Sequence, residues 1–314
     1  MEILRYAFGN TIDTGRCVLA LGFFDGVHLG HRRLLLAARN LAKEMKLRFG
    51  VFTFDSDGPI KGGEDRIYGD EEKAELLGEL GADFTVICDF KSVADLSPES
   101  FVSRVLVDGL SAEAAVAGFN YRFGKGASGD AAELVRLMNV HGKRALICDN
   151  YTHRGETVSA TRIKAHLQRG EAAEAAELLG APFRICGEVI HGNSAGRTLG
   201  FPTVNTARRG GLLLPRRGVY RTATVIDGRI YSALTNVGTC PTLGERQEHC
   251  ETYILDFDGD LYGKKVTVYF IGFLRDEICF NSEKDLVTQI NVDKNRIIKE
   301  NGDVTWQELG LNLQ

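Results

Sequence analysis

Between residues 16 and 150 the chain alternates short apolar runs with segments of helical period, and this alternation leaves few folds open to it. The runs are RCVLAL from Arg16, LRFGVFTF from Leu47, DFTVIC from Asp83, AEAAVAG from Ala112 and KRALIC from Lys143. Strand-length runs this apolar are buried on both faces, which calls for parallel strands covered by crossover helices. Leu34, Leu35, Ala38, Leu41, Ala42 and Met45 recur at helical spacing after the first run, and Ser97 before Pro98 is a helix start. The expectation is an open, doubly wound α/β sheet, whose ligands bind beyond the carboxyl ends of the strands.

The pattern changes near residue 180. Thr161 to Leu179 reads as one connector helix, weakened by Gly170 and closed by Gly180 and Pro182. After Phe183 come GVYRTATVI, an Asp227-Gly228 pair and RIYSAL, the signature of a tight hairpin, followed by CETYILDF and KKVTVYF. A small antiparallel barrel is expected, with a closing helix from Ser282 to Lys299. With 314 residues the chain accommodates two cores, expected at 1–182 and 183–314.

Charge narrows the function. Up to Gly180 there are 22 basic and 26 acidic residues, and after it 16 of each. Neither part is a polycation, which argues against a binder of nucleic-acid backbones. Arg208, Arg209, Arg216 and Arg217 form a local cluster, either a solvated or an anion-facing loop. The apolar stretch Cys17 to Phe24 is far short of the ~20 residues of a membrane helix, and the N-terminus has an early Glu and no signal-like core. Seven scattered cysteines without a C-x-x-C pair suit a reduced, cytoplasmic chain.

In LALGFFDGVHLGHRRLLLAARNLAKE a buried strand runs into a turn and then a helix that begins with two histidines. His28 and His31, three residues apart, face the same way on a first helical turn, beside the unpaired N–H groups of a helix start. Two imidazoles there can stabilise charge on a phosphoryl group. A metal site, or two polar helix-start residues without a task, are the alternatives, and a third metal ligand is not obvious.

The string GFFDGVHLGH resembles the H-x-G-H nucleotidyltransferase signature of FAD synthetases, which cytidylyltransferases share in part. The resemblance implies a Rossmann-like nucleotidyltransferase domain in which Gly22, Phe24, Asp25, Gly26 and Gly30 surround ATP. GFNYRFGKGASGD, from Gly118, is similar to that family's glycine and aromatic loop, implying flavin contacts at Asn120, Phe123 and Gly124. VSATRIK, from Val158, is similar to its S-S-T-R-I-R element, implying that Ser159, Thr161 and Arg162 meet ATP phosphates; a plain Ser/Thr helix cap is the alternative reading of those residues. Ala160 and Lys164 depart from the element, and Ser56-Asp57-Gly58-Pro59 stands where the family has P-H-P.

The second half holds GEVIHGNSAGRTLGFPTVNT, from Gly187. Its spaced glycines suit a backbone wrapped around a ligand, and Thr203 and Asn205 offer hard oxygens on one side of an extended segment, suited to Mg²⁺. The string resembles the riboflavin kinase signature. That resemblance implies phosphate contacts at Gly192, Gly196, Arg197, Gly200 and Pro202, a Mg²⁺ site at Thr203 and Asn205, a flavin contact at Arg275 and a general base at Glu251. Together the resemblances imply a bifunctional riboflavin kinase/FAD synthetase using riboflavin, FMN and ATP with Mg²⁺, and releasing ADP, pyrophosphate and FAD. The rivals are a kinase with an impaired adenylyltransferase, a flavin- or nucleotide-binding regulator, and a cytidylyltransferase. Asp256, Asp258 and Asp260 do not make a calcium loop, since Leu261 stands where such a loop needs Gly.

Overall fold

The five apolar runs become five parallel strands of one sheet in the computed structural model, which describes residues 1–55, 65–190, 201, 203–206, 211–240, 247–301 and 304–310. The chain divides into two compact units, Met1–Ala160 and Thr161–Gln314. The first unit runs β1 (Glu2–Tyr6), β2 (Cys17–Leu21), α1 (Leu29–Met45), β3 (Arg48–Phe54), α2 (Asp70–Glu79), β4 (Phe84–Cys88), β5 (Ala112–Gly118), α3 (Ala131–Val140) and β6 (Arg144–Cys148), followed by the short hairpin β7 (Thr152–His153) and β8 (Glu156–Thr157). The sheet order is β1-β4-β3-β2-β5-β6, with every neighbouring pair parallel. β1 is a strand the apolar pattern does not reveal. Its EILRY is exposed along most of its length, because it lies at the sheet edge and pairs with β4 alone.

Helix α1 buries Leu34, Leu35, Ala38, Leu41 and Ala42, the face expected from their spacing. Ser97 Oγ accepts from the Ser100 N–H at 3.2 Å and starts the helix at Pro98. Gly50 in β3 leaves room for the ring of Phe84, its register partner on β4, which a Cβ there would overlap.

The second unit begins with two helices where one was expected. α4 (Ala160–Gln168) and α5 (Ala172–Leu179) are separated at Gly170, whose φ of 81° ends the first of them. A side chain at Gly170 would also meet Phe273 at 3.2 Å. α5 packs on the barrel strands Phe183–Ile190 and Lys265–Arg275, so the division falls earlier than the expected boundary at 182. The barrel consists of β9 (Phe183–Ile190), β10 (Thr203–Thr206), β11 (Gly218–Ile226), β12 (Arg229–Cys240), β13 (Gln247–Ile254) and β14 (Lys265–Arg275). It closes in the order β10-β13-β12-β11-β14-β9, with antiparallel pairing throughout. Asp227 and Gly228 have φ of 49° and 75°, as a tight hairpin turn requires. The closing helix α6 spans Glu283–Asn301.

Inside the barrel Tyr220, Phe183 and Phe270 are fully buried beside a ladder of hydroxyls: Thr222 bonds Thr235 at 2.8 Å, and Thr235 bonds Thr252 at 2.9 Å. With Thr235 and Thr252 inside, alternation sends Asn236 and Glu251 to the outer face. There α6 packs through Ile297 and Ile290 on Val219 and Leu234.

Gly50→Ala should destabilise the first unit by about 1–3 kcal/mol through overpacking against Phe84, measurable by chemical denaturation. An unchanged denaturation midpoint would contradict this packing.

Candidate functional site

Strand β2 ends where the sheet order reverses, with β3 and β4 on one side and β5 and β6 on the other. The loops that follow leave in opposite directions and open a crevice at that carboxyl end. Gly22 donates its N–H to Phe52 O at 3.2 Å, and a Cβ on it would press on the Phe24 ring at 3.1 Å. Phe24 and Val27 both hold left-handed backbone, with φ of 51° and 43°, around Gly26 at 78°. Such conformations cost roughly 1–2 kcal/mol per residue for side chains with a Cβ. The turn is kept by the fully buried Phe24 ring, by the Ile67 N–H on Asp25 Oδ1 at 2.9 Å and by Arg32 Nε on Val27 O at 3.2 Å.

His28 caps α1. Its Nδ1 accepts the His31 backbone N–H at 3.3 Å, and a Cβ on Gly30 would lie 3.2 Å from Cε1 of the same ring. The glycine between the histidines therefore makes room for the first of them to fold back. The two rings stack with centroids 3.6 Å apart, and Phe24 meets His31 edge-on at 5.2 Å. Burial pushes His28 down to about 4, partly opposed by Asp25, and pushes His31 well below the ordinary imidazole range, helped by His28 and Lys73. Both rings are neutral at pH 7. Because Nδ1 of His28 is an acceptor, its proton sits on Nε2, which is thereby a donor. Among the described residues Nδ1 of His31 has no hydrogen-bond partner, though it is buried.

Tyr151 borders the turn, 3.6 Å from where a Cβ of Gly30 would be, and its carbonyl takes the Val158 N–H at 3.0 Å. This places the backbone just before Ser159 close to the histidine turn. Thr161 and Arg162 lie on the first turn of α4, Thr161 exposed and Arg162 partly buried. Asn120 is exposed just after β5. Phe123 instead belongs to the core, 6% exposed and packed on Tyr121 and Phe101, and its backbone pairs reciprocally with Gly129. Gly124, at φ 73°, seats Pro98 where a Cβ would clash. The aromatic ring thus shapes this loop from behind, and Asn120, Arg122, Lys125 and Ser128 are its exposed polar groups. Ser56, Asp57, Gly58 and Pro59 lie outside the described residues.

The second unit carries a separate pocket of about 300 Å³ on the outer face of the barrel, beneath α6. Thr203, Asn236, Glu251 and Tyr253 line its barrel side, and Leu286, Ile290 and Asp293 its helix side. Thr203 Oγ1 donates to Glu251 Oε1 at 2.6 Å. Asn205 on β10 and Asn236 on β12 both stand opposite Glu251 in register, which gathers four oxygen-bearing side chains on one face. Asn236 and Asp293 are lining residues that sequence reading missed. The link between β12 and β13 has no tight-turn signal to fix their register, so Asn236 could not be matched with Glu251 in advance.

Arg275 also lines this pocket, with its guanidinium committed to Asp293: Nε and Nη2 meet Oδ2 at 2.9 and 2.8 Å. Gln289 holds the other oxygen of Asp293 at 3.0 Å, so the pair fastens α6 over the pocket. Arg216 is paired with Asp276 at 2.5 Å and lies over the Phe273 ring, so this member of the arginine cluster is structural. Gly192, Gly196, Arg197, Gly200, Pro202, Arg208 and Arg209 lie outside the described residues.

Two family models match the chain, one in each half. The FAD synthetase family model matches residues 11–162 and the riboflavin kinase model residues 179–300. A bifunctional riboflavin kinase/FMN adenylyltransferase of Listeria monocytogenes is 34% identical over 88% of this chain and 90% of its own length. Its namesake in Bacillus subtilis is 33% identical over 91% and 93%. A crystal structure described as a macrolide-efflux protein from Streptococcus pneumoniae superposes with a TM-score of 0.84 at 29% identity, covering 95% of this chain and 99% of that one. Among the described residues no helix is long and apolar enough to cross a membrane. Riboflavin is phosphorylated to FMN with ATP, and FMN is adenylylated to FAD, by proteins that join these two domains, and the chain belongs to the family of bifunctional riboflavin kinase/FMN adenylyltransferases.

Proposed function

We propose that each site carries one of the two reactions: adenylylation of FMN at the His28–His31 turn, and phosphorylation of riboflavin in the pocket at Glu251. The contact that best supports the second assignment is Thr203 Oγ1 on Glu251 Oε1, which orients a carboxylate toward a cavity with apolar walls. Glu251 takes the proton of the ribityl hydroxyl as its oxygen bonds to the γ-phosphorus of ATP and the bond to ADP breaks. Thr203 and Asn205, with Glu251 opposite, form a set of hard oxygen donors that fits Mg²⁺. When bound, the ion offsets charge on the ATP phosphates. Arg275, fixed by Asp293, lines the part of the pocket assigned to flavin.

At the first site a phosphate oxygen of FMN attacks the α-phosphorus of ATP, and pyrophosphate departs. The Nε2–H of His28 and the ring of His31 meet the charge that builds on the α-phosphate, which two neutral, stacked rings can do without mutual repulsion. Gly22, Phe24, Asp25, Gly26 and Gly30 keep the turn open toward nucleotide. Ser159, Thr161 and Arg162 place the phosphates, and Asn120 and Gly124 place the flavin. Among the described residues the thiols Cys17, Cys88, Cys148 and Cys279 are free, which supports a cytoplasmic setting.

Separation of flavins after incubation with riboflavin, ATP and Mg²⁺ tests the assignment. Glu251→Gln should lower FMN formation about 10²-fold or more while leaving riboflavin binding in place; retained turnover would remove Glu251 as the base. His28→Ala should lower FAD formation from supplied FMN by about 10²–10³-fold and leave FMN formation as it was. The neutral histidines also set an acid limit. An unfolded imidazole takes a proton near 6.5 and folded His28 only near 4, so stability present above pH 6.5 is lost as pH falls toward 4, by about 3 kcal/mol. His28→Asn should flatten the denaturation free energy across that window.

A further inference from the structure

Beneath the histidine turn lies a charged group to which neither reaction assigns a task. Lys73, on α2, has a side chain only 3% exposed, and its ammonium is enclosed by three acceptors. Nζ donates to Thr53 Oγ1 at 3.2 Å and to Phe54 O at 3.0 Å, and it pairs with Asp70 Oδ1 at 3.7 Å. Thr53 is fully buried and passes the link on, its hydroxyl donating to Phe23 O at 3.0 Å. The Phe23 carbonyl belongs to the peptide that enters the left-handed Phe24, so pinning that oxygen orients the peptide plane and with it the Phe24 backbone. Phe24 in turn meets His31 edge-on.

We propose that Lys73 is a positioning residue for adenylyl transfer, acting through Thr53 and the Phe23 carbonyl to hold the strained turn and its two histidines in place. A buried ammonium suits this role because two of its donors are taken by acceptors at fixed positions and its charge is held by Asp70. An apolar side chain of equal length would leave the Thr53 hydroxyl without its donor and Phe54 O unpaired. The groups that act on the cation are Asp70 on its own helix, Arg66 before that helix, Asp25 in the turn and His31 on α1. Burial, only partly offset by Asp70 and Asp25, pushes Lys73 down to about 8. Loss of its proton removes the charge that pairs with Asp70 and strengthens the hydrogen bonds to Thr53 and Phe54 O, so the link weakens as pH rises through that value.

The proposal rests on the reading of the histidine turn as the adenylyltransferase site, and the test separates the two. The full chain is assayed for FAD formed from supplied FMN and ATP, and for FMN formed from riboflavin. Lys73→Met should lower FAD formation at pH 7 at least tenfold, with FMN formation within twofold of the parent. Thr53→Val, which keeps the cation and cuts the link, should do the same. In the parent chain FAD formation should fall on the alkaline side of pH 8. Lys73→Arg, whose charge persists to higher pH, should move that limb upward, a shift that a purely structural lysine would not produce. FAD formation by Lys73→Met or Thr53→Val within twofold of the parent overturns the proposal. So does an alkaline limb that stays in place in Lys73→Arg, even where Lys73→Met fails to fold. Absence of FAD from the parent chain would instead remove the reading of the turn, and the proposal with it.

Discussion

The first site depends on a backbone that reverses through left-handed φ values within six residues of the end of β2. Phe24, Gly26 and Val27 all lie in that region, and no local propensity favours it in a phenylalanine or a valine. Tertiary structure must supply what local structure does not. Phe24 is sealed in the core, Asp25 holds the Ile67 N–H, and Thr53 holds the carbonyl that leads into the turn. Only with the turn in this shape does His28 reach back to cap α1 and stack on His31. Strain of this kind collects where a site must be preorganised, and here it lies at the point where the sheet reverses its strand order.

The barrel builds its polar pocket by other means. No helix start or strained turn is needed, because cross-strand register alone gathers Asn205, Asn236 and Glu251 on one outer face, with Thr203 two residues along from Asn205. The inside of the barrel holds hydroxyls that satisfy one another, which leaves the strands free to expose their polar chemistry on the other side. The helix that covers that face is fastened by an ion pair at the pocket wall. Arg275 and Asp293 are both largely buried there, and removing either would leave a buried charge without its partner.

Much of this was legible in advance, and the parts that were not share a cause. Continuous apolar runs identified five of the six parallel strands, but EILRY, half exposed at an edge, carries no such signal. Helix periodicity ran past Gly170, because a sequence pattern does not show that Phe273 sits where a side chain would go. Of the residues that motifs single out, His28 and His31 stack at the start of α1, and Thr203 donates to Glu251 across β10 and β13. Phe123 looked like a ligand contact but packs into the core, since an aromatic in a glycine-rich loop serves either purpose. Lys73, in the run DEEKAELLGE, reads as a solvated residue on a charged helix, and only burial against β3 distinguishes it. What fails to show in the sequence is therefore what depends on neighbours distant along the chain.

The break at Gly170 bears on how the two activities can be taken apart. Helix α5 turns Ala172, Ala175, Leu178 and Leu179 inward and packs on β9 and β14, although the riboflavin kinase match starts only at residue 179. A kinase fragment cut at that family boundary would bare an apolar strip of the barrel and invite self-association. A fragment that starts near Thr161 keeps the strip covered, so the segment between the two signatures is part of the kinase's own solubility.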